Sequence, residues 1–259
     1  MTDSVSDFYD GLAEAYHFIF ADWRRSVKRQ GTALDRLIRT RKGTLRLGVL
    51  DCTCGIGTQA FGLAEQGYTV HGTDLSPVAI QRAREYAVEF DRAPTFAVAD
   101  LLAPDLVDKT TYDVVIACDN AVAHFLTDDD LMQAIDTMVG KLRPGGLLLI
   151  SLRDYDQIVL QRPRSTLPVV TDAADGRHIT LQVWDWATDG RSYDLNHFVV
   201  HEEDGTWRTE CHRTTLRVLQ RRELEMVLQE TGLTDIEWHL PPDSGYYQPI
   251  VTAVKEQAR

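Results

Sequence analysis

The feature that most constrains the fold is a regular alternation of strand-like and helix-like segments in the first half of the chain. Short apolar runs of strand length occupy residues 45–50, 68–72, 95–99, 112–117 and 147–152. Helix-like segments lie between three of the four successive pairs of strands, at 58–66, 76–90 and 128–141. Because a helix between two strands returns the chain to the same end of the sheet, this alternation predicts parallel strands in an α/β fold.

The segments before and after this region have different residue patterns. Apolar positions at helical spacing predict helices at 5–20, where Ala15 is one of the periodic positions, and at 24–39. After Asp156, β-prone stretches at 179–186, 193–201 and 209–219 are separated by the turn-like 188–190 and Asp204-Gly205, which predicts an antiparallel insertion. A helix at 221–231 and strands at 235–239 and 246–254 then rejoin the main sheet.

The predicted fold class is therefore a Rossmann-like, doubly wound sheet of seven strands, with a small antiparallel β insertion after the fifth strand. We expect four segments along the chain. They are an N-terminal helical segment at 1–44, a ligand-binding core at 45–156, the insertion at 157–219, and a C-terminal helix and strands at 220–259 that complete the sheet.

Composition excludes several classes of function. The formal charge of −12 would repel a phosphate backbone, so we expect no nucleic-acid partner. No apolar run reaches the roughly 18 residues of a membrane span, and residues 1–10 lack a basic signal-peptide start, so we expect a cytoplasmic protein with no membrane partner. The four cysteines lack paired spacing, so no metal site is expected.

A glycine loop follows the first strand, and acids end the first two. Asp51 precedes the loop that contains Gly55 and Gly57, and Asp74 ends the second strand. Gly55, Gly57 and Ala60 also match the dinucleotide pattern, and Asp74 suits a ribose in either case. Asp51 would repel a pyrophosphate, however, and suits a ligand that carries a sulfonium and an α-ammonium group.

A third acid, Asp100, ends the third strand and is followed by Leu101. This pair fits an adenine ring, with an acceptor for the exocyclic amine and an apolar face. Any one of the three acids is equally well explained as a turn or N-cap residue. Three acids at successive strand ends favour a shared ligand site.

Three further runs carry a resemblance to a known family. They are CDNAVAH at 118–124, RPGG at 143–146 and LRDYD at 152–156. With the glycine loop and the acids, they make the chain resemble class I S-adenosylmethionine-dependent methyltransferases. Within these, it resembles glycine N-methyltransferase and the glycine/sarcosine N-methyltransferases over nearly its whole length. The resemblance implies an enzyme with S-adenosyl-L-methionine as cofactor and a small-molecule methyl acceptor.

The acids, the glycine loop and the resemblance together predict twelve cofactor-binding residues: Tyr16, Trp23, Asp51, Cys54, Gly55, Gly57, Asp74, Leu75, Asp100, Leu101, Cys118 and Asp119. The resemblance also implies an N-terminal lid of aromatic and basic groups, in which Tyr9, Tyr16, Trp23 and Arg24 would take part. Packing in the core explains an aromatic stripe at helical spacing almost equally well.

The resemblance implies three catalytic residues, Asn120, His124 and Arg153. Arg153 would hold the carboxylate of the substrate, although a strand-end arginine also pairs readily with a nearby acid such as Asp154 or Asp156. Asn120 would lie near the amine. His124 suits a positioning role better than that of a general base, because methyl transfer to a neutral amine depends chiefly on orientation.

Four residues are predicted at the substrate: Arg153, Tyr155, Trp184 and Tyr193. The insertion departs from the family, since Trp184, Trp186, Tyr193, Asn196 and His197 have no clear matches there. If these side chains point inward, a wider, more aromatic pocket would admit a heteroaromatic nitrogen. Tyr246 and Tyr247 are further candidates, but one of them must face away if both lie in a strand.

We therefore expect methyl transfer to a nitrogen of a small molecule, either an amino-acid-like amine or a heteroaromatic ring. An O-methyltransferase, a non-catalytic S-adenosylmethionine-binding module and an NAD-dependent oxidoreductase are the alternatives. A homo-oligomer is possible.

Overall fold

A computed structural model describes residues 2–13, 16–20, 22–43, 46–103, 110–173, 176–203 and 205–257. Its helices are α1 (Thr2–Leu12), α2 (Trp23–Lys42), α3 (Thr58–Glu65), α4 (Pro77–Ala87), α5 (Asp128–Lys141), α6 (Tyr155–Gln161), α7 (Arg221–Glu230) and α8 (Pro241–Ser244). Its strands are β1 (Gly48–Asp51), β2 (Thr69–Asp74), β3 (Thr95–Val98), β4 (Tyr112–Ala117), β5 (Leu142–Ser151), β6 (Val169–Ala173), β7 (Gly176–Trp186), β8 (Ser192–Glu203), β9 (Thr206–Arg217), β10 (Leu233–His239) and β11 (Ile250–Lys255).

The main sheet has seven strands in the order β10-β11-β5-β4-β1-β2-β3. The strands β1 to β5 pair in parallel, while β11 runs antiparallel to both β5 and β10. This confirms the predicted α/β class. The strand order reverses between β1 and β4, and open α/β sheets bind ligands at the carboxyl ends of the strands beside such a reversal.

The centre of the main sheet is buried on both faces. Val49 packs into one apolar cluster and the next residue, Leu50, into the other. Val114 and Val115 divide in the same way on β4. Successive side chains of a strand point to opposite faces, so the uninterrupted apolar runs of these strands are explained by layers of helices on both sides of the sheet.

The predicted insertion is a second sheet, antiparallel, in the order β6-β7-β8-β9. Helix α1 packs on β9 so closely that a Cβ on Gly11 would lie 2.8 Å from Nδ1 of His212. The N-terminal helix and the insertion thus meet above the main sheet. The division of the chain into four segments remains a prediction.

The N-terminal helices differ from the prediction. The predicted helix at 5–20 is interrupted, since α1 ends at Leu12 and Tyr16–Ile19 form a 3-10 turn. The apolar period of a 3-10 turn is close to that of an α-helix, so periodicity does not reveal such a break. Helix α2 is longer than the predicted 24–39, and its N-cap Asp22 accepts a hydrogen bond from the N–H of Arg25 at 2.9 Å. Ala15, Leu45 and Asp204, which the predicted elements included, lie outside the described residues.

Two further predictions near strands were wrong in their details. The strand predicted at 147–152 begins earlier, at Leu142, and the run at 143–146 forms a bulge inside β5, because the partners of Tyr112 and Val114 are Leu142 and Leu147. The predicted strand at 246–254 begins only at residue 250. Pro249, just before β11, has no N–H to donate to the ladder, although its carbonyl accepts from the N–H of Leu152 at 3.1 Å.

The elements α6, β6 and α8 were not predicted. None of the described helices has both the length and the apolar character needed to cross a membrane.

Helix α3, which follows the glycine loop, is held against α2 by direct backbone contact. A Cβ on Gly31 would lie 2.4 Å from the carbonyl carbon of Gly62, and one on Gly62 would lie 2.5 Å from the carbonyl oxygen of Val27. Neither glycine can gain a methyl group unless the helices separate. This contact therefore fixes the start of α3, beside the glycine loop.

We expect Gly31→Ala to lower the free energy of unfolding by about 1–3 kcal/mol, the usual cost of adding a methyl group to a filled interface. The matched control is Gly140→Ala in α5, where an added Cβ meets nothing within 4 Å. That variant should gain about 0.4–1 kcal/mol through a less flexible unfolded chain. Urea denaturation measures both, and equal stability of the two variants would contradict the described packing.

Candidate active site

A groove of about 440 Å³ lies at the carboxyl ends of β1 to β4. We call it the sheet-edge groove. The loop after β1, the ends of β2 and β3, and the loop after β4 form its walls. Nine of the predicted cofactor residues line it: Tyr16, Cys54, Gly55, Asp74, Leu75, Asp100, Leu101, Cys118 and Asp119.

Asp74 and Asp100 are fixed at the groove by backbone hydrogen bonds. The N–H groups of Gly55 and Ser76 donate to the two carboxylate oxygens of Asp74, at 2.7 and 3.0 Å. The N–H of Leu102 donates to Asp100 at 2.8 Å. Burial raises the pKa of Asp74, and the hydrogen bonds from Ser76 and Gly55 oppose that rise. A cation in the groove would favour the ionised form of this carboxylate.

The two glycines of the loop have different roles. Gly55 has a φ of +51°, and a Cβ there would meet nothing within 4 Å, so the loop leaves open space beside the groove. Gly57 has a φ of +92°, and its Cβ would lie 2.6 Å from the ring of Phe61. Gly57 therefore allows close packing at the start of α3 and is not part of the groove lining.

Asp51 does not line the groove, although Cys52 and Thr53, which follow it in the chain, do. It is completely buried, and neither of its carboxylate oxygens accepts a hydrogen bond from the described residues. Burial raises the pKa of Asp51 well above its usual range, and the nearby backbone N–H groups of Thr53 and Ala60 only partly offset this.

The loop after β4 has a strained backbone at two successive residues. Asp119 and Asn120 both have left-handed conformations, with φ of 59° and 70°. The N–H of Asp119 donates to Oγ of Ser151 at 2.8 Å, and the Asn120 amide accepts from the N–H of Arg153 at 3.0 Å and donates to the hydroxyl of Tyr155 at 3.0 Å. The side chain of Asn120 thus joins the loop after β4 to the end of β5.

The hydroxyl of Tyr247 donates to Oδ1 of Asp119 at 2.5 Å, and the hydroxyl of Tyr246 lies 2.7 Å from this oxygen and 2.7 Å from Oε1 of Gln30. Because they precede β11, both can face the same carboxylate, and neither has to point away as a strand would require. Burial raises the pKa of Asp119, and the two tyrosine hydroxyls oppose this rise. The carboxylate is held at the edge of the groove.

A second cavity of about 610 Å³ lies between α1, α2 and the small sheet, and we call it the cap cavity. Asn120, His124, Arg153 and Trp184 of the predicted catalytic and substrate residues line it. The two spaces meet at a shared wall formed by Tyr9, Tyr16, Asp119, His124 and Thr214.

His124 is held in the shared wall by two hydroxyl groups. The hydroxyl of Tyr9 lies 2.9 Å from its Nε2, and Oγ1 of Thr214 lies 3.4 Å from its Nδ1. Burial, with the charge of Arg153, lowers the pKa of His124 to about 4. The imidazole is therefore neutral at physiological pH and is fixed in orientation.

Arg153 extends from the end of β5 toward the small sheet. Its guanidinium donates to the hydroxyl of Tyr193 at 2.8 Å and to Oε1 of Gln182 at 3.0 Å, and it lies over the ring of Trp184 at 4.7 Å. Gln182 was not predicted from the sequence. Its position two residues before Trp184 on β7, on the same face, was the available signal.

The alternative that Arg153 pairs with a neighbouring acid is wrong. Asp156 accepts a hydrogen bond from Arg221 at 2.8 Å, and Asp154 lies 3.8 Å from the same guanidinium. Both acids therefore tie α6 to α7. The described residues place no carboxylate within ion-pair distance of Arg153.

Tyr155 and Tyr193, two predicted substrate residues, lie behind Arg153 and do not line the cap cavity. Both are 1% exposed, and their hydroxyls lie 3.1 Å apart. The ring of Trp184 stacks on that of Tyr193 with centroids 4.6 Å apart. The two tyrosines support Arg153 and Trp184 from the core.

Of the remaining residues predicted in the insertion and the lid, some line one of the two spaces and others do not. His197 lines the cap cavity, whereas Trp186 donates to the carbonyl of Pro163 at 2.8 Å and Asn196 to Asp185 at 2.9 Å. Tyr9 and Tyr16 line both spaces. The structure does not bring Trp23 to the groove, since its indole donates to Thr58 at 2.9 Å and its ring packs against core aromatics. Arg24 instead pairs with Glu89.

Part of the chain is similar in sequence to known methyltransferases. Residues 49–146 match the family model described as a methyltransferase domain. A glycine/sarcosine N-methyltransferase of Parasynechococcus marenigrum is 26% identical over 138 residues, which cover 53% of this chain and 48% of that protein. Glycine N-methyltransferase of Mus musculus is 31% identical over 123 residues, covering 43% of this chain and 42% of that protein. The expected resemblance over nearly the whole chain is therefore wrong in extent: these matches cover about half of this chain and about half the length of the curated relatives.

A solved structure extends the likeness of fold to the rest of the chain. This is the S-adenosylmethionine-bound CalS10, an amino pentose methyltransferase from Micromonospora echinaspora. It superposes with a TM-score of 0.72 at 16% identity and covers 93% of this chain and 95% of its own. Residues 49–146 therefore match a methyltransferase domain, and the described chain shares its overall fold with this solved methyltransferase.

Proposed function

We propose that the protein transfers the methyl group of S-adenosylmethionine to a nitrogen of a small molecule that carries an acidic group. The observation that carries this proposal is the meeting of two spaces of opposite charge at one shared wall. A methyl group that passes between two ligands needs such a junction, because the reacting atoms must approach to about 3–3.5 Å.

The sheet-edge groove is acidic. The carboxylates of Asp74, Asp100, Asp119 and Asp130 line it, and of the described residues no lysine or arginine does. A sulfonium with an α-ammonium group suits these charges, whereas a pyrophosphate would be repelled. This favours S-adenosylmethionine over a nicotinamide dinucleotide.

The residues of the groove fit the parts of this cofactor. Asp74 would accept hydrogen bonds from the ribose hydroxyls, and Asp100 with the buried Leu101 would hold the adenine. The open space beside Gly55 admits a ligand close to the backbone. When bound, S-adenosylmethionine would supply a methyl carbon on a positively charged sulfur. A C–N bond to the neutral acceptor would form as the C–S bond breaks, which gives S-adenosylhomocysteine, and the methylated nitrogen would release its proton to water.

The cap cavity is lined by more positively than negatively charged side chains. The guanidinium groups of Arg25, Arg29 and Arg153 line it, and they outnumber the carboxylates of Asp22 and Asp119. Such a cavity suits an acceptor with a negative charge. Arg153 would hold the acidic group, because a planar guanidinium fork matches a carboxylate.

Two features support nitrogen over oxygen as the methylated atom. A neutral amine has a lone pair ready for transfer, whereas a hydroxyl is a poor nucleophile until it loses its proton. His124, with a pKa near 4, is a weak base for such a proton. The relatives named above are N-methyltransferases as well. In this proposal His124 positions the reactants and the aromatic side chains of the wall exclude water.

The proposed activity is tested with purified protein, S-adenosylmethionine and a panel of small amines, with and without carboxylates. We expect S-adenosylhomocysteine to accumulate only with acceptor present, and mass spectrometry to locate the added methyl on nitrogen. Methylation of hydroxylated acceptors alone would instead establish an O-methyltransferase. Binding of the donor without turnover on any acceptor would support a non-catalytic module.

Asp74→Asn should weaken binding of S-adenosylhomocysteine by about tenfold or more, because the variant loses the charge that accepts hydrogen bonds from the ligand. Isothermal titration calorimetry measures the affinity. Asp91→Asn is the matched control, since Asp91 is exposed and does not line the groove. The proposal fails if the two variants bind the ligand equally well.

His124 and His197 should remain neutral well below the usual histidine range. Burial lowers the pKa of each to about 4, from the ordinary value of 6.5. Titration of the imidazole signals by NMR, assigned with His124→Gln and His197→Gln, should show both rings uncharged at pH 5.5. A midpoint near 6.5 for His124 would restore it as a candidate base.

A further inference from the structure

We propose that Gln182 determines which acceptors the enzyme takes. Its uncharged amide accepts a hydrogen bond from Arg153 without neutralising it, so the guanidinium charge stays free for a carboxylate on the acceptor. This inference rests on the proposed function and adds a specificity-determining residue to it.

The orientation of the Gln182 amide is fixed by two donors. Nη2 of Arg153 and Nε1 of Trp184 both approach Oε1, at 3.0 and 3.2 Å. Both groups carry only donor hydrogens, so this atom must be the amide oxygen. The amide nitrogen is then directed toward Nδ1 of His197, 3.4 Å away.

The same contact fixes the state of His197. An amide nitrogen can only donate, so Nδ1 of His197 accepts and the ring proton lies on Nε2. His197 is 2% exposed and adds no positive charge to the cap cavity. Arg153, Gln182 and His197 thus form a connected chain with a single charge, on the guanidinium.

Arg153 differs in this respect from the other arginine near the end of β5. Arg221 donates to the carboxylate of Asp156 at 2.8 Å and is neutralised by it. The side-chain partners of Arg153 are the amide of Gln182 and the hydroxyl of Tyr193, which are both uncharged. A partly buried cation with only neutral partners favours a negatively charged ligand.

A glutamate at position 182 would change this balance with almost no change in shape. Its carboxylate would occupy the place of the amide and pair with Arg153. The guanidinium would then be neutralised inside the protein, and an acceptor carboxylate would meet a second negative charge. The residue at this position therefore selects for or against acidic acceptors.

The test uses benzoate as a carboxylate probe, titrated by calorimetry into the intact protein saturated with S-adenosylhomocysteine. We expect wild-type protein to bind benzoate and Gln182→Glu to bind it at least about tenfold more weakly, since a charge-assisted pair is lost. S-adenosylhomocysteine should bind both proteins equally, because Gln182 does not line the sheet-edge groove.

Two controls separate charge from shape. Gln182→Met leaves Arg153 unneutralised, so it should retain benzoate affinity within a few-fold, whereas a purely structural role would make it as damaging as Gln182→Glu. Gln157→Glu adds the same charge at an exposed position of α6 and should have no effect. In Gln182→Glu the new carboxylate beside Nδ1 should also raise the pKa of His197, which NMR detects.

The outcomes distinguish the two proposals. If wild-type protein binds S-adenosylhomocysteine but not benzoate, or if Gln182→Glu binds benzoate as well as wild type, the role of Gln182 is refuted and the proposed methyl transfer stands. If S-adenosylhomocysteine binds neither protein, the proposed function itself is refuted, and this inference with it.

Discussion

The interaction on which both spaces depend is the bridge that the Asn120 side chain makes between the loop after β4 and the end of β5. Its amide accepts from the N–H of Arg153 and donates to the hydroxyl of Tyr155. The bridge fixes the backbone from which Arg153 projects, and it begins at the residue after Asp119, whose carboxylate lies in the shared wall. One side chain therefore sets the relative position of the acidic groove and of the cation in the cap cavity.

The separation of charge between the two spaces is the main electrostatic feature of the molecule. In a chain of formal charge −12, arginines along the cap cavity are notable against the general excess of acids. Asp119 faces both sides, and the tyrosines at 246 and 247 hold it in place. A donor with positive charge and an acceptor with negative charge would each be drawn to its own side, and orientation at the wall would follow from binding alone.

The sequence predicted the architecture well, because the strands of a parallel sheet are buried on both faces and appear as uninterrupted apolar runs. The acids that end those strands were found for the same reason, since strand ends in such a sheet lie along one edge. Asp74, its hydrogen-bond partner Gly55, and Asp100 all line the groove, as that argument requires. Asp51 and Gly57 belong to the same motif but do not line the groove: Asp51 is buried without a hydrogen bond to its carboxylate from the described residues, and Gly57 packs against Phe61.

The rest of the site depends on contacts between segments that are distant in sequence, and local patterns carry no information on these. The spacing of Trp23 is typical of a lid residue, but its indole N–H donates to Thr58 on α3 and its ring packs against Phe61 in the core. Gln182 has no motif of its own, and only the fold brings β7 to the end of β5. The importance of Gln182 follows from the charges around Arg153. The neighbouring acids Asp154 and Asp156 lie beside Arg221, so among the described residues the guanidinium of Arg153 has only neutral hydrogen-bond partners. To recognise that an arginine has no acidic partner, one must know where the surrounding charged side chains lie, and only the structure gives these positions.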